Sequence, residues 1–190
     1  MKINIIVAFS KNRGIGIKNN LPWNISSDLK KFKKLTVGDS NNAVIMGCNT
    51  WRSLPVKYLT NRDNLILSNT LKIDENYNKN IVKSFSNLES VMNFCKTKDY
   101  NTVWIIGGTQ IYNLFINNNQ YIIDEIHVTY IDKEFECDTF FPKIDIDKYS
   151  NVSQKEHLIE NNTNNTNNTN NTNIFKVYDR VYTYTGVKNK

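Results

Sequence analysis

The chain has 190 residues, 39% of them apolar and 12% aromatic, and carries a net charge of +6. That is enough to bury one sizeable core without metals or disulfides, and it excludes wholesale disorder. The lysines are spread along the chain rather than clustered, so the charge reads as a solvated surface and not as a nucleic-acid footprint.

Cys48, Cys95 and Cys137 are odd in number and widely scattered, with no paired metal-type spacing. A reduced, cytoplasmic setting is the simplest expectation. The opening run Met1 to Phe9 is too short for a secretory signal, and no stretch approaches the length of a membrane span.

Ile3 to Phe9 is a nearly continuous apolar, β-branched run, the pattern of a strand buried on both faces. Ser10 to Asn20, with Gly14 and Gly16, reads as a flexible loop leading to Leu21-Pro22-Trp23-Asn24. Pro22 fixes its own φ and pushes Leu21 out of the helical region, so a rigid loop should end just before a helix over about 26–36, capped by Asn24 or Ser26. In that helix Asp28, Phe32 and Leu35 share a face, with Lys30, Lys31, Lys33 and Lys34 pointing elsewhere. An ionised carboxylate on an apolar stripe needs a buried donor or a cationic, multi-donor ligand. The plain alternative is an acidic residue in the first turn that complements the helix dipole.

Gly38 to Asn42 breaks the chain, Ala43 to Gly47 is a second buried strand, and Thr50 to Leu54 a short helix that Pro55 follows. Asn64 to Ser68 is a third strand and Ile81 to Lys83 a weaker fourth. Ser86-Asn87-Leu88-Glu89 matches a capping box, with Leu88, Val91, Met92 and Cys95 on one helical face. Thr102 to Ile106 runs straight into Gly107-Gly108. Behind it Ile111, Leu114 and Phe115 mark another amphipathic helix, and Ile126 to Ile131 returns as a strand. The alternation predicts an α/β fold with a mostly parallel central sheet and about four flanking helices.

Tyr149 to Ile159 and Ile174 to Tyr184 alternate apolar and polar side chains, as an antiparallel pair at a sheet edge would. Between them residues 161–173 repeat Asn-Asn-Thr, a polar, uncharged tract expected to be a disordered insertion within a single domain spanning 1–190. The sequons at Asn161, Asn164, Asn167 and Asn170 are by-products of that repeat.

Gly107-Gly108 at the end of a central strand is where α/β sheets bind ligands. Two glycines admit a close backbone approach, and the helix start suits a pyrophosphate, although the pair lacks a full dinucleotide fingerprint and by itself reads by default as a tight turn with no ligand. His127 and His157 lack metal spacing and are taken as structural.

Taken together, the chain resembles the dihydrofolate reductase family, closest to its eukaryotic type. The matching features are Ile15-Gly16 before Leu21-Pro22-Trp23, the helix with Asp28 and Phe32, Val44 to Gly47 with Thr50-Trp51, and Leu67-Ser68. They continue with Val103 to Gly108 with Tyr112, and Asp138 to Pro142. They come in the family's order and cover nearly the whole chain.

The resemblance implies NADPH-dependent reduction of dihydrofolate by a monomer, with no metal, membrane or nucleic-acid partner. Asp28 resembles the carboxylate that accepts from the pterin 2-amino group and ring nitrogen, with Thr129 as its support and Leu21 and Trp23 beside the water that protonates N5. Ile6, Val7, Leu29 and Phe32, with Leu54, Leu59 and Ile106, would wall the folate. Arg62 would fork onto the α-carboxylate of its glutamate tail. Ala8, Ile15, Gly16, Gly107, Gly108 and Tyr112 would line the nicotinamide half. Gly47, Cys48, Asn49 and Thr50, then Leu67, Ser68 and Asn69, then Thr109, Gln110 and Ile111 would line the phosphates and adenosine. The loop from Ser10 to Trp23 would close over the nicotinamide.

Cys48, Asn49 and Asn69 depart from the basic residues that eukaryotic relatives often carry at the extra phosphate. NADPH is therefore expected to be preferred, but less strongly, with Thr50, Ser68, Lys72 and either Lys83 or Ser84 supplying part of the anchorage. The alternatives are a pyrimidine reductase of the same fold, which lacks the Trp23-then-Asp28 arrangement, and an inactive or moonlighting module that binds RNA.

Overall fold

In the computed structural model, residues 1–39, 41–77, 80–118, 120–161 and 173–186 are described. Among them nine strands form one sheet. In chain order these are β1 (Lys2–Ser10), β3 (Asn42–Gly47), β4 (Asp63–Leu67), β5 (Asp74–Tyr77), β6 (Asn80–Phe85), β7 (Thr102–Gly107), β8 (Glu125–Ile131), β10 (Tyr149–Asn161) and β11 (Asn173–Tyr184). Two short strands, β2 (Gly14–Gly16) and β9 (Thr139–Phe140), pair separately. The helices are α1 (Ser26–Val37), α2 (Cys48–Ser53), α3 (Leu88–Lys96) and α4 (Thr109–Ile116).

The sheet order is β10-β11-β8-β1-β7-β3-β4-β6-β5. The block from β8 to β6 is parallel, and β11, β10 and β5 are antiparallel additions at the two edges. The expected mostly parallel sheet, its antiparallel C-terminal strands and its four helices are all present. The edge strand β5 escaped notice because Asp74–Tyr77 carries no apolar alternation.

The apolar residues sort by sheet face. Ile3, Ile5, Val7 and Phe9 of β1 join Val91, Met92 and Cys95 of α3 and Ile111, Tyr112 and Phe115 of α4 on one side. On the other, Ile6 joins Val44, Met46 and Trp104, with Phe32 and Leu35 of α1 and Trp51 of α2 packed over them. This is the pleat's period of two carried into layers. Leu114, expected on the inner face of α4, is exposed, and Tyr112 takes that place.

Three local expectations change. The N-cap of α1 is Ile25, with no side-chain cap, so neither Asn24 nor Ser26 has that role; Gly38 ends the helix at φ 50°, its N–H donating to Lys34 O at 3.1 Å. The capping box shifts by one residue: Asn87 caps α3, its Oδ1 accepting from Ser90 N at 2.8 Å.

The segment 10–20 is not a free loop. The β2 strand pairs with β9, Lys18 N donates to Asp138 Oδ2 at 2.7 Å, and Asn12 Nδ2 donates to Phe135 O at 2.9 Å. Gly14 and Gly16 are there for close packing rather than hinging, since a Cβ at either would collide with the Cys137 or the Thr139 side chain. The tract 161–173 lies largely outside the described residues; its flanking strands pair up to Asn161 opposite Asn173.

Candidate functional site

The sheet splits at its centre. β1 and β7 are paired from Lys2 opposite Thr102 only to Ile5 opposite Ile105; beyond that, Ile6 to Ser10 pair with β8 alone. A crevice at the carboxyl ends of parallel strands is where open α/β sheets take ligands. Residues after the split on both strands, Ile6, Val7 and Ala8 on one side and Ile106, Gly107 and Gly108 on the other, are the ones singled out in the sequence.

Asp28 comes to this crevice from the first turn of α1. The hydroxyl of Thr129 on β8 donates to Asp28 Oδ1 at 2.6 Å. Burial holds the Asp28 carboxyl above the usual carboxylate range, against the pull of that hydrogen bond and of the Lys31 charge. The same charge acts on Tyr112: burial first, and then Asp28, push its phenol up. The Tyr112 hydroxyl donates to Ile6 O at 3.0 Å, and its ring lies where a Cβ on Gly107 would touch it at 3.0 Å. Tyr112 thus joins the β1 backbone at Ile6 to the paired glycines.

Most of the residues expected to wall a substrate come together in space. Ile6, Phe32, Leu54, Leu59 and Ile106 belong to one apolar cluster. Leu21 and Leu29 are each 52% exposed, apolar surface that a ligand could cover. Val7 is the exception. The strand's alternation turns it to the opposite face, against the cluster that holds Tyr112 and Phe115.

Trp23 is buried in a third cluster with Ile25, Ile131, Phe175 and Val177, edge-on to Phe135, and Ala8 packs there too. Its indole N–H has no acceptor among the described residues.

Arg62 is more than a loop arginine. It is 3% exposed, its guanidinium lies 5.7 Å over the Phe32 ring, and it donates to Thr60 O at 3.0 Å and to the Thr36 hydroxyl. Burial pulls it down to about 10, so it stays charged at neutral pH. No carboxylate pairs with it among the described residues. A buried, stacked and unneutralised fork suits a carboxylate arriving from outside.

On the other side of the split, Gly47 and Gly108 are the N-caps of α2 and α4, and neither helix has a side-chain cap. Helix starts without a cap leave backbone N–H groups to an anion. At Gly47 a Cβ would lie 3.1 Å from Ile111, and Gly107 sits at φ 109°, which disfavours any side chain there. The Gly107-Gly108 peptide is cis. At Gly108 the space is open towards Thr50 Oγ1, 3.5 Å from where a Cβ would be. These features fit a dinucleotide laid across the ends of β3 and β7.

Cys48 and Thr50 are half-buried, Asn49, Asn69 and Gln110 exposed, and Leu67 is buried at the end of β4. The Thr109 hydroxyl donates to Phe140 O at 2.8 Å. Ser68 Oγ accepts from Leu71 N at 3.0 Å and so shapes its own turn. Of the other expected anchors, Lys83 pairs with Asp74 at 2.6 Å and Ser84 Oγ accepts from Ile73 N at 2.9 Å.

The sequence reading missed what stands behind Asp28. Lys31 turns inward instead of outward, and its ammonium donates to Thr129 Oγ1 at 2.8 Å and to Asp179 Oδ1 at 2.5 Å. His157 lies 3.2 Å from the other oxygen of Asp179. The signal was present: Lys31 follows Asp28 by one helical turn, and Asp179 is a charge at an inward position between Val177 and Val181. His127, by contrast, pairs with Glu125 at 2.7 Å against the Trp104 ring, in keeping with a structural role.

The family model for dihydrofolate reductase matches residues 2–177. A dihydrofolate reductase from Sus scrofa is 39% identical over 160 residues, covering 80% of this chain and 85% of that protein. A putative dihydrofolate reductase from Caenorhabditis elegans is 36% identical over 171 residues, covering 85% and 88%. A bifunctional dihydrofolate reductase-thymidylate synthase from Arabidopsis thaliana is 36% identical, but the chain spans only 32% of its length. A solved dihydrofolate reductase from Enterococcus faecalis, complexed with NADP(H) and RAB-propyl, shares the fold at a TM-score of 0.73, 23% identity and 97% coverage of both chains.

Proposed function

The chain belongs to the dihydrofolate reductase family, and from that premise we infer that it reduces 7,8-dihydrofolate to 5,6,7,8-tetrahydrofolate with NADPH, in support of one-carbon metabolism and thymidylate synthesis. The observation that carries the reading is the Asp28 carboxylate. It is held by Thr129 at the split between β1 and β7, on the helix whose Phe32 packs with Ile6 and Ile106.

Asp28 presents one oxygen to Thr129 and has its second free for a ligand. A heterocycle that brings two donors side by side completes its hydrogen bonding and offsets the burial that raises it. This pairing fixes which face of the pterin meets the cofactor and favours the protonated ring, while Phe32 and Ile106 hold the ring flat. Arg62 takes the glutamate tail at the outer end, beyond Phe32.

NADPH, when bound, supplies the hydride that reaches C6 of the substrate. Gly107, Gly108 and the start of α4 would hold its pyrophosphate, and Ala8, Ile15 and Tyr112 would flank the nicotinamide. The buried Trp23 N–H orients the water that carries a proton to N5, and Leu21 screens that water from bulk solvent.

Cytoplasmic localisation and a monomeric state go with this reading, and no helix among the described residues is long and apolar enough to cross a membrane. An RNA-binding module finds no support in the family match. The test is loss of NADPH absorbance with dihydrofolate and purified protein, abolished by stoichiometric methotrexate. Absence of turnover overturns the reading.

A further inference from the structure

The Lys31, Asp179 and His157 group behind Thr129 takes no part in the chemistry described so far. Lys31 and Asp179 are both about one-third exposed or less at their side chains and form an ion pair at 2.5 Å. Desolvating two long-range charges beside a core has little net benefit for stability. Their place next to the reactive carboxylate calls for another account.

Hydrogen-bond direction supplies it. Thr129 has one hydroxyl hydrogen and two acceptors within reach, Asp28 Oδ1 at 2.6 Å and Asp179 Oδ1 at 3.5 Å. An ammonium can only donate. Lys31 Nζ, 2.8 Å from Thr129 Oγ1, therefore occupies a lone pair and leaves the hydroxyl hydrogen to a carboxylate. By binding Asp179 Oδ1 with a second N–H, Lys31 also neutralises the competing acceptor, so the hydrogen goes to Asp28. His157 holds Asp179 from its other oxygen.

We propose that Lys31, clamped between Thr129 and Asp179, is a positioning residue of the reductase reaction: it commits the Thr129 hydroxyl to Asp28 and, balanced against Asp179, sets the field in which Asp28 holds the pterin. The proposal rests on the proposed folate-reducing function for its catalytic consequence, although the electrostatic arrangement stands without it.

The charged and titratable groups around the pair come from every neighbouring element. They are Asp28 and Lys31 from α1, Asp179 from β11, His157 and Lys155 from β10, and the Tyr112 hydroxyl from α4; Lys155 stands opposite Asp179 in the strand register. His127 with Glu125 lies along the same face of β8. Lys31 acts to lower Asp28 and Asp179 to raise it. The two members of one ion pair thus push the reactive carboxylate in opposite directions.

The experiment follows the Asp28 side-chain carboxyl carbon by NMR as a function of pH in the ligand-free protein. The set is wild type, Lys31→Met, Lys31→Arg, Asp179→Asn and the Lys31→Met/Asp179→Asn double variant, with the acid limb of kcat/KM for dihydrofolate measured alongside. The expected result is an upward displacement of the Asp28 midpoint in Lys31→Met, a downward one in Asp179→Asn, and a return towards wild type in Lys31→Arg and in the double variant. The acid limb of kcat/KM moves the same way, and Lys31→Met loses about tenfold or more in turnover, the worth of a hydrogen bond to a charged group.

Displacements in the same direction for both single variants, or none beyond fitting error, overturn the proposal. Midpoints that move as stated in a protein that does not turn over dihydrofolate uphold the electrostatic coupling and overturn the folate-reducing function instead.

Discussion

Asp28→Asn separates what the carboxylate costs the fold from what it gives the reaction. Thr129 already satisfies one oxygen, so the ligand contact rests on the other oxygen and on the charge. Two charge-assisted hydrogen bonds to a pterin are together worth about 3–6 kcal/mol. The amide keeps an acceptor for one donor but turns its own N–H towards the other. The expected loss in turnover at neutral pH is therefore about 10²- to 10⁴-fold.

The variant should recover part of its activity as the pH falls, because substrate then arrives already protonated. Stability should change in the opposite sense. Burial raises Asp28, so the folded chain binds a proton that the unfolded chain has released. Ligand-free stability therefore falls as pH rises, across the window from the unfolded carboxyl value up to the raised folded one, and stays reduced above it. Asp28→Asn removes that slope and should raise the melting temperature at neutral pH. The assays are NADPH absorbance with dihydrofolate from about pH 5 to about pH 9, and thermal unfolding over the same range. Unchanged turnover at neutral pH would refute the assigned role. A fall in melting temperature would refute the argument that the buried charge is a burden on the empty site.

Arg62→Leu should raise KM for dihydrofolate about 30-fold or more, as expected when a charged partner of a carboxylate is truncated, and should leave a reduced pterin lacking the glutamate tail little affected; equal losses on both would refute tail recognition. Asn49→Arg should widen the preference for NADPH over NADH about tenfold at low salt and lose that advantage at high salt, since Cys48, Asn49 and Asn69 offer no cation there; salt-independent widening would point to a packing effect. Replacing residues 162–172 by a short glycine-containing turn between the paired ends Asn161 and Asn173 should leave turnover unchanged and shift stability by only about 1 kcal/mol, because loop closure varies slowly with length. Loss of folding on that deletion would give the tract a structural role.

The sheet and its layers were legible because both depend on local periodicity. Ile3 to Phe9 could only be a doubly buried strand, and Leu88, Val91, Met92 and Cys95 could only lie along one helical face. Asp28 was legible for the same reason: a carboxylate one turn before Phe32 on a stripe of otherwise apolar contacts marks a conflict visible in one dimension. Gly107-Gly108 was visible as a break between a strand and a helix.

What the sequence could not decide is which side of a boundary a marginal residue takes. Lysine usually faces water, as the neighbours of Lys31 on α1 do; Lys31 turns inward because Thr129 and Asp179 provide it with acceptors, and both are distant in the chain. Arg62 had no local pattern at all, and its burial under Phe32 and Thr36 comes from packing between α1 and the start of β4. Val7 and Ile6 were equal in sequence and were parted only by the pleat. Periodicity along the chain fixes the faces an element offers, whereas partners for a buried charge come from elements that meet only when the sheet is assembled, and their desolvation is settled there.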